Sequence, residues 1–122
     1  MTPEAAVFAL VADATGLKVY ADGHAPVTAE WPFATATVPA GCLGAEVAAT
    51  VDLWYRDAGE AAPNEAARRL SSAIGRGGRL VAFDGGAAWV RRGDPWCTPM
   101  TDTDDEVERR HINITIEYLT QD

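Results

Sequence analysis

The sequence predicts an α+β fold in which a mostly antiparallel sheet packs against two helices. Three observations carry this reading. The C-terminal stretch Glu106–Thr120 sets Ile112, Ile114, Ile116 and Tyr118 in alternation with His111, Asn113, Thr115 and Glu117, the period of a half-buried strand. Two segments carry helix start and stop residues around apolar positions. The other strand-like runs are separated by hairpin signals such as Asp84-Gly85-Gly86 rather than by regular βαβ repeats. The 122 residues are the length of one domain, 1–122, with one core.

Taken in order, Thr2 and Pro3 supply a cap and a first turn. Ala5, Phe8, Ala9 and Ala12 then share a face before Gly16 stops the first helix. Lys18–Ala21 reads as a short strand. Asp22, Gly23 and Pro26 open a polar loop that ends at Trp31-Pro32-Phe33, and Ala34–Val38 continues as a thin strand. After turn signals at Pro39, Gly41 and Gly44, Ala45–Arg56 alternates, with Val47, Ala49, Val51, Leu53 and Tyr55 on the core face. Asp57–Pro63 is a loop, and Asn64 caps a second helix whose stripe is Ala66, Ala67, Leu70, Ala73 and Ile74, ended by Gly75. Arg79–Phe83 and Ala88–Arg92 form a hairpin. Gly93 to Asp105 then reads as a connection long enough to have a task or to be mobile.

Composition narrows the function. Apolar residues make up 48% of the chain and charged residues 23%, the balance of a folded globular protein. Ten basic against eighteen acidic residues give a formal charge of −8, which opposes nonspecific attraction to nucleic acid or to an anionic membrane. Arginine is the basic residue everywhere except Lys18, and alanine is abundant, a bias of GC-rich coding. No apolar run nears the ~20 residues of a membrane span, and the N-terminal residues, with Glu4 in the first turn and no basic region, do not read as a signal peptide. Cys42 and Cys97 are accordingly expected as reduced thiols in a cytosol, their separation arguing against zinc. A disulfide between them stays open.

No motif assigns catalysis, a cofactor or a metal. The acidic run Asp102, Asp104, Asp105 and Glu106 lacks the glycine and terminal glutamate spacing of an EF-hand loop and reads as a solvated loop. His24 and His111 have no Cys, Ser or second His nearby in sequence to form a nucleophile pair, and His111 is expected on the exposed face of the last strand. Gly75-Arg76-Gly77-Gly78 follows a helix instead of opening one, so it lacks the N-terminus that binds phosphate. Asn113-Ile114-Thr115 matches a glycosylation sequon by chance, inside a strand.

What remains are candidates for a surface. Trp54 shares its strand face with Asp52 and Arg56, the composition of an interface. The same composition also suits a face covered by the chain's own helix or loop. Trp96 poses the same question from within the long connection. Arg91, Arg92, Arg109 and Arg110 are expected to meet acidic groups on neighbouring strands or on a neighbouring subunit. The interaction set is thus Trp54, Arg56, Arg91, Arg92, Trp96, Asp102, Asp104, Asp105, Arg109 and Arg110, with the long loop ordering on a partner around Trp96.

Several of these segments together resemble the tail terminator, or tail completion, proteins of long-tailed bacteriophages. They are the short N-terminal helix, the Trp31-Pro32-Phe33 strand entry, Asp52-Leu53-Trp54-Tyr55-Arg56, the Asn64–Ile74 helix, and the acidic loop leading to Arg109-Arg110-His111-Ile112-Asn113-Ile114 and Glu117-Tyr118-Leu119. The resemblance lies in a pattern of elements across nearly the whole chain. It implies a non-enzymatic minor tail protein of the virion, made in the bacterial host cytoplasm. Such a protein forms a homo-oligomeric ring, typically a hexamer, on the last ring of major tail tube protein and faces a head-completion or neck protein. It also implies that DNA passes through the lumen without specific binding, which suits the acidic charge. Two rival readings are another neck component, such as a head-completion or adaptor protein, and a small metal-dependent hydrolase using Asp102, Asp104, Asp105 and His111.

Overall fold

The organising contact of the fold is a long antiparallel ladder between the last strand and the strand that carries Trp54. The computed structural model describes residues 1–121. Its elements are α1 (Pro3–Thr15), β1 (Val19–Ala21), β2 (Phe33–Thr37), β3 (Glu46–Arg56), α2 (Ala61–Ile74), β4 (Arg79–Phe83), β5 (Gly86–Met100) and β6 (Val107–Gln121). The six strands form one sheet in the order β1-β2-β3-β6-β5-β4, in which only the β1 and β2 pair is parallel. Both helices lie on one side of it, α2 against the central strands and α1 against α2 and the two edge strands. The α+β class read from the sequence holds.

The core fills the space between sheet and helices. Leu53, Val51, Val90 and Ile112 are wholly buried there, with Val11 and Leu70 from the helices. Thr2 caps α1 by accepting the Ala5 N–H at 3.1 Å, and Gly16, at φ +75, closes it by donating to Ala12. The buried side of α1 is Ala6, Val7, Leu10, Val11 and Thr15; of the expected Ala5, Phe8, Ala9 and Ala12, Phe8 packs half-buried against the core and the three alanines do not join it. This helix is apolar nearly all round, so its period carries little information, and the larger Leu10 and Val11 turn inward. The stripe expected of α2 is buried, apart from a half-buried Ala73. Asn64 is not its cap: the helix starts three residues earlier, with Pro63 in the first turn, where a missing N–H costs nothing. The Asn64 side chain instead accepts a hydrogen bond from Arg110 Nε at 3.0 Å.

The connection expected from Gly93 to Asp105 is mostly strand. β5 runs on to Met100, and residues 93–96 bulge out opposite Asn113 alone, since Arg92 pairs with Ile114 and Cys97 with Ile112. Asn113 Nδ2 donates to the Pro95 carbonyl at 2.8 Å, tying down the bulge. Trp96 and Cys97 then pack against the core from this side. Trp96 is therefore a strand residue on the protein's own core rather than the tip of a long loop, and the turn between β5 and β6 is short.

Two substitutions test this architecture. Leu53→Ala is expected to cost about 2–5 kcal/mol through the cavity it leaves, read as a lower urea midpoint with unchanged slope. In Gly93→Ala the new methyl carbon would stand 2.7 Å from the Asn113 carbonyl oxygen, a backbone atom. A loss of about 1–3 kcal/mol is expected, and an unchanged midpoint would show that the bulge does not need this close approach.

Candidate functional site

Alternation along β3 and β6 sends every second side chain away from the helices, onto a face on which no helix packs among the described residues. Across this open face two rows of cross-strand neighbours run side by side. Phe33, Trp54, Arg109 and Met100 form one, and Thr35, Asp52, His111 and Thr98 the other.

The first row builds an aromatic corner. Trp54 lies parallel to Phe33 at 6.2 Å, and Phe33 is met edge-on by Trp31 at 4.9 Å and by Tyr20 at 6.0 Å. The Arg109 guanidinium sits over the Trp54 ring at 4.5 Å, and Arg56 stands 5.7 Å from the centre of Trp31. Such contacts contribute about 0.5–2 kcal/mol each, more where water is excluded. Trp54 Nε1 donates to Thr35 Oγ1 at 2.9 Å, which fixes the indole plane. Phe33 is buried by this arrangement, while Trp31 remains 40% exposed at its rim.

The second row neutralises a buried charge. Asp52 is only 6% exposed, so its carboxylate needs partners. Oδ1 receives Arg109 at 3.3 Å and lies 2.9 Å from His111 Nδ1. An ionised carboxylate can only accept, so the imidazole donates there. Arg109 thereby joins the two rows, with one side of its guanidinium on Asp52 and its plane on Trp54. His111 is half-exposed on the open face, as expected, but its partner Asp52 comes from a register that the sequence does not display.

The acidic turn closes one end of this corner. Asp104 Oδ2 lies 2.8 Å from Arg56, with Glu106 at 3.3 Å from the same nitrogen. Asp102 Oδ1 accepts the Asp104 N–H and Asp104 Oδ1 the Glu106 N–H, both at 3.0 Å, the pattern of consecutive Asx turns. Asp105 is exposed. His111 turns toward Asp52, and the set Asp102, Asp104, Asp105 and His111 is not brought together. Among the described residues no three His, Cys, Asp or Glu side chains form a group able to hold a metal.

The ten candidates therefore separate. Trp54, Arg56, Arg109 and Asp104 meet at one corner of the open face, with Asp102 and Asp105 in the adjoining turn. Arg91 lies at the far end of that face, bonded to Glu117 at 3.1 Å and to Glu46. Arg92, Trp96 and Arg110 belong to the helix side, where Arg92 donates to Ser71 Oγ at 2.9 Å and Arg110 pairs with Glu108 at 3.2 Å. These arginines thus find their partners within the chain. The sequence reading placed Asp52 beside Trp54 and His111 on the exposed face but missed their pairing, and it missed Tyr20, Trp31, Phe33 and Thr35 as members of the corner. The signal for two of them, Trp31-Pro32-Phe33, was legible as an aromatic strand entry.

No known protein-family model matches the chain, and a search of curated proteins finds no similar sequence.

Arg109→Met keeps the length of the side chain but removes the charge from both Asp52 and Trp54. A loss of about 1–3 kcal/mol is expected, accompanied by a change in tryptophan emission. Retention of both stability and emission would show that Arg109 does not hold the corner together.

Proposed function

We propose that the chain is a structural subunit without catalytic activity, of the tail terminator type. It assembles as a homo-oligomeric ring, a hexamer, at the head-proximal end of a long-tailed phage tail tube. There it ends tube polymerisation and presents the surface that joins the neck. One observation supports the reading above others: the open sheet face ends in a partly exposed tryptophan and arginine corner, with no helix packed over it among the described residues. Aromatic and arginine side chains around a packed centre are the composition of interface hot spots. Closed symmetry lets one such surface, repeated, match a tube of fixed symmetry. The net charge of −8 suits a lumen that DNA crosses without adhering.

Native mass spectrometry of the protein with purified tail tubes is expected to show one fixed multiple of the subunit bound, and tubes polymerised in its presence should stop at a defined length. Trp31→Ala, at the exposed rim, should leave a folded monomer that no longer binds. Random stoichiometry, or full binding by this variant, would overturn the assignment of the corner to assembly.

A further inference from the structure

On the opposite side of the sheet, α2 and the end of β5 stand apart and leave a groove of about 400 Å³. One wall is the α2 face from Asn64 to Ser71, and the other is formed by Trp96, Cys97 and Pro99. Arg110 lies at the base with only 3% of its side chain exposed. Its Nε donates to Asn64 at 3.0 Å, and Nη1 donates to Glu108 at 3.2 Å and to the Arg109 carbonyl at 3.1 Å. Nη2 makes no hydrogen bond to the described residues. No polar side-chain atom among them is both fully buried and unpartnered, so Nη2 keeps some contact with solvent, and this groove is one that Arg110 lines.

Nη2 is the one nitrogen of this buried guanidinium without an acceptor, and an oxygen of an anion would complete its bonding. The groove around it is apolar at Ala67, Trp96 and Pro99, with Arg68 at the rim already bonded to Glu65 at 2.6 Å. Seven helical steps from Asn64 to Ser71 span about 10 Å, the length of roughly three extended residues. Pro95 and Pro99 lack the N–H groups that a strand added to the outer edge of β5 would need, so recognition falls to side chains.

We infer that this groove binds an extended acidic segment of a partner protein, its carboxylate seated on Arg110 Nη2 and a neighbouring apolar side chain against Trp96 and Ala67. The site faces away from the aromatic corner and does not depend on the ring reading.

Cys97 reports on occupancy. Burial pushes its thiol up, against the opposing pull of the Arg110 charge, while Cys42 is exposed and serves as the internal reference. The test uses acetyl-Leu-Asp-Leu-amide, its Asn counterpart, sodium acetate and inorganic phosphate, with iodoacetamide labelling of the two cysteines followed by mass spectrometry. The Asp peptide should slow labelling of Cys97 and leave Cys42 unchanged, and the Asn peptide should require a roughly tenfold higher concentration. Arg110→Met should abolish that preference. Because Arg110 is buried, Ser71→Phe provides a second variant, filling the groove from its accessible wall and removing the effect of both peptides on Cys97. Equal protection by the two peptides overturns the proposal, as does protection by acetate or phosphate at the peptide's concentration, or a peptide effect that survives Ser71→Phe.

Discussion

The register of β3 against β6, eleven consecutive pairs from Glu46 with Glu117 to Arg56 with Val107, is the constraint on which the rest depends. It opposes Val51 to Ile112 and Ala49 to Ile114 beneath the helices, and in the same step opposes Asp52 to His111 and Trp54 to Arg109 on the other face. A slip by one residue would carry the apolar set into water and bring the buried carboxylate and Arg109 under the helices. The core and the surface network are therefore two readings of one alignment. Each reinforces it, the first by apolar burial and the second by pairing a charge that would be costly alone.

Most of the fold was legible because its period was strong. The four alternating apolar positions of β6 and the Leu53 side of β3 announced buried strands, and the Ala66 to Ile74 stripe announced α2. What stayed hidden lacked a local signal. α1 is apolar on too many sides for its inward face to be read. The start of α2 was misplaced because Asn64 looks like a cap, while its side chain is drawn to Arg110, a residue 46 positions away. The second half of β5 was masked by Gly93, Pro95 and Pro99, residues that usually punctuate loops. Here they permit a bulge and an unpaired outer edge. The candidate site was legible in its residue types and not in its grouping, because grouping depends on strand order, and nothing in the chain places β6 between β3 and β5.

The two sides of the sheet do different work with the same amino acid. Arg109 and Arg110 are adjacent in sequence and point to opposite faces. Arg109 lies half-exposed, shared between a carboxylate and an indole ring. Arg110 is enclosed, shared between an amide, a carboxylate and a carbonyl, with Nη2 left over. Lysine, a single hydrated point of charge, could not serve either position equally, since both rely on a flat group with several fixed donors. The near-exclusive use of arginine, whatever its coding origin, is thus compatible with both faces.

The bulge in β5 also changes the phase of the strand. Before it, even-numbered residues such as Val90 and Arg92 face the helices; after it, Cys97 and Pro99 do so. Five steps of chain along β5 answer two along β6, and this odd surplus moves Trp96 and Cys97 inward and leaves Thr98 beside His111. The face that Cys97 takes is consequently set by its partner Ile112 across the ladder and not by counting along β5, because the bulge absorbs the surplus. Removing three residues would leave two steps against two, a regular ladder in which Cys97 still lies over the core and Thr98 still stands beside His111, while the bulge that Asn113 ties down would be gone.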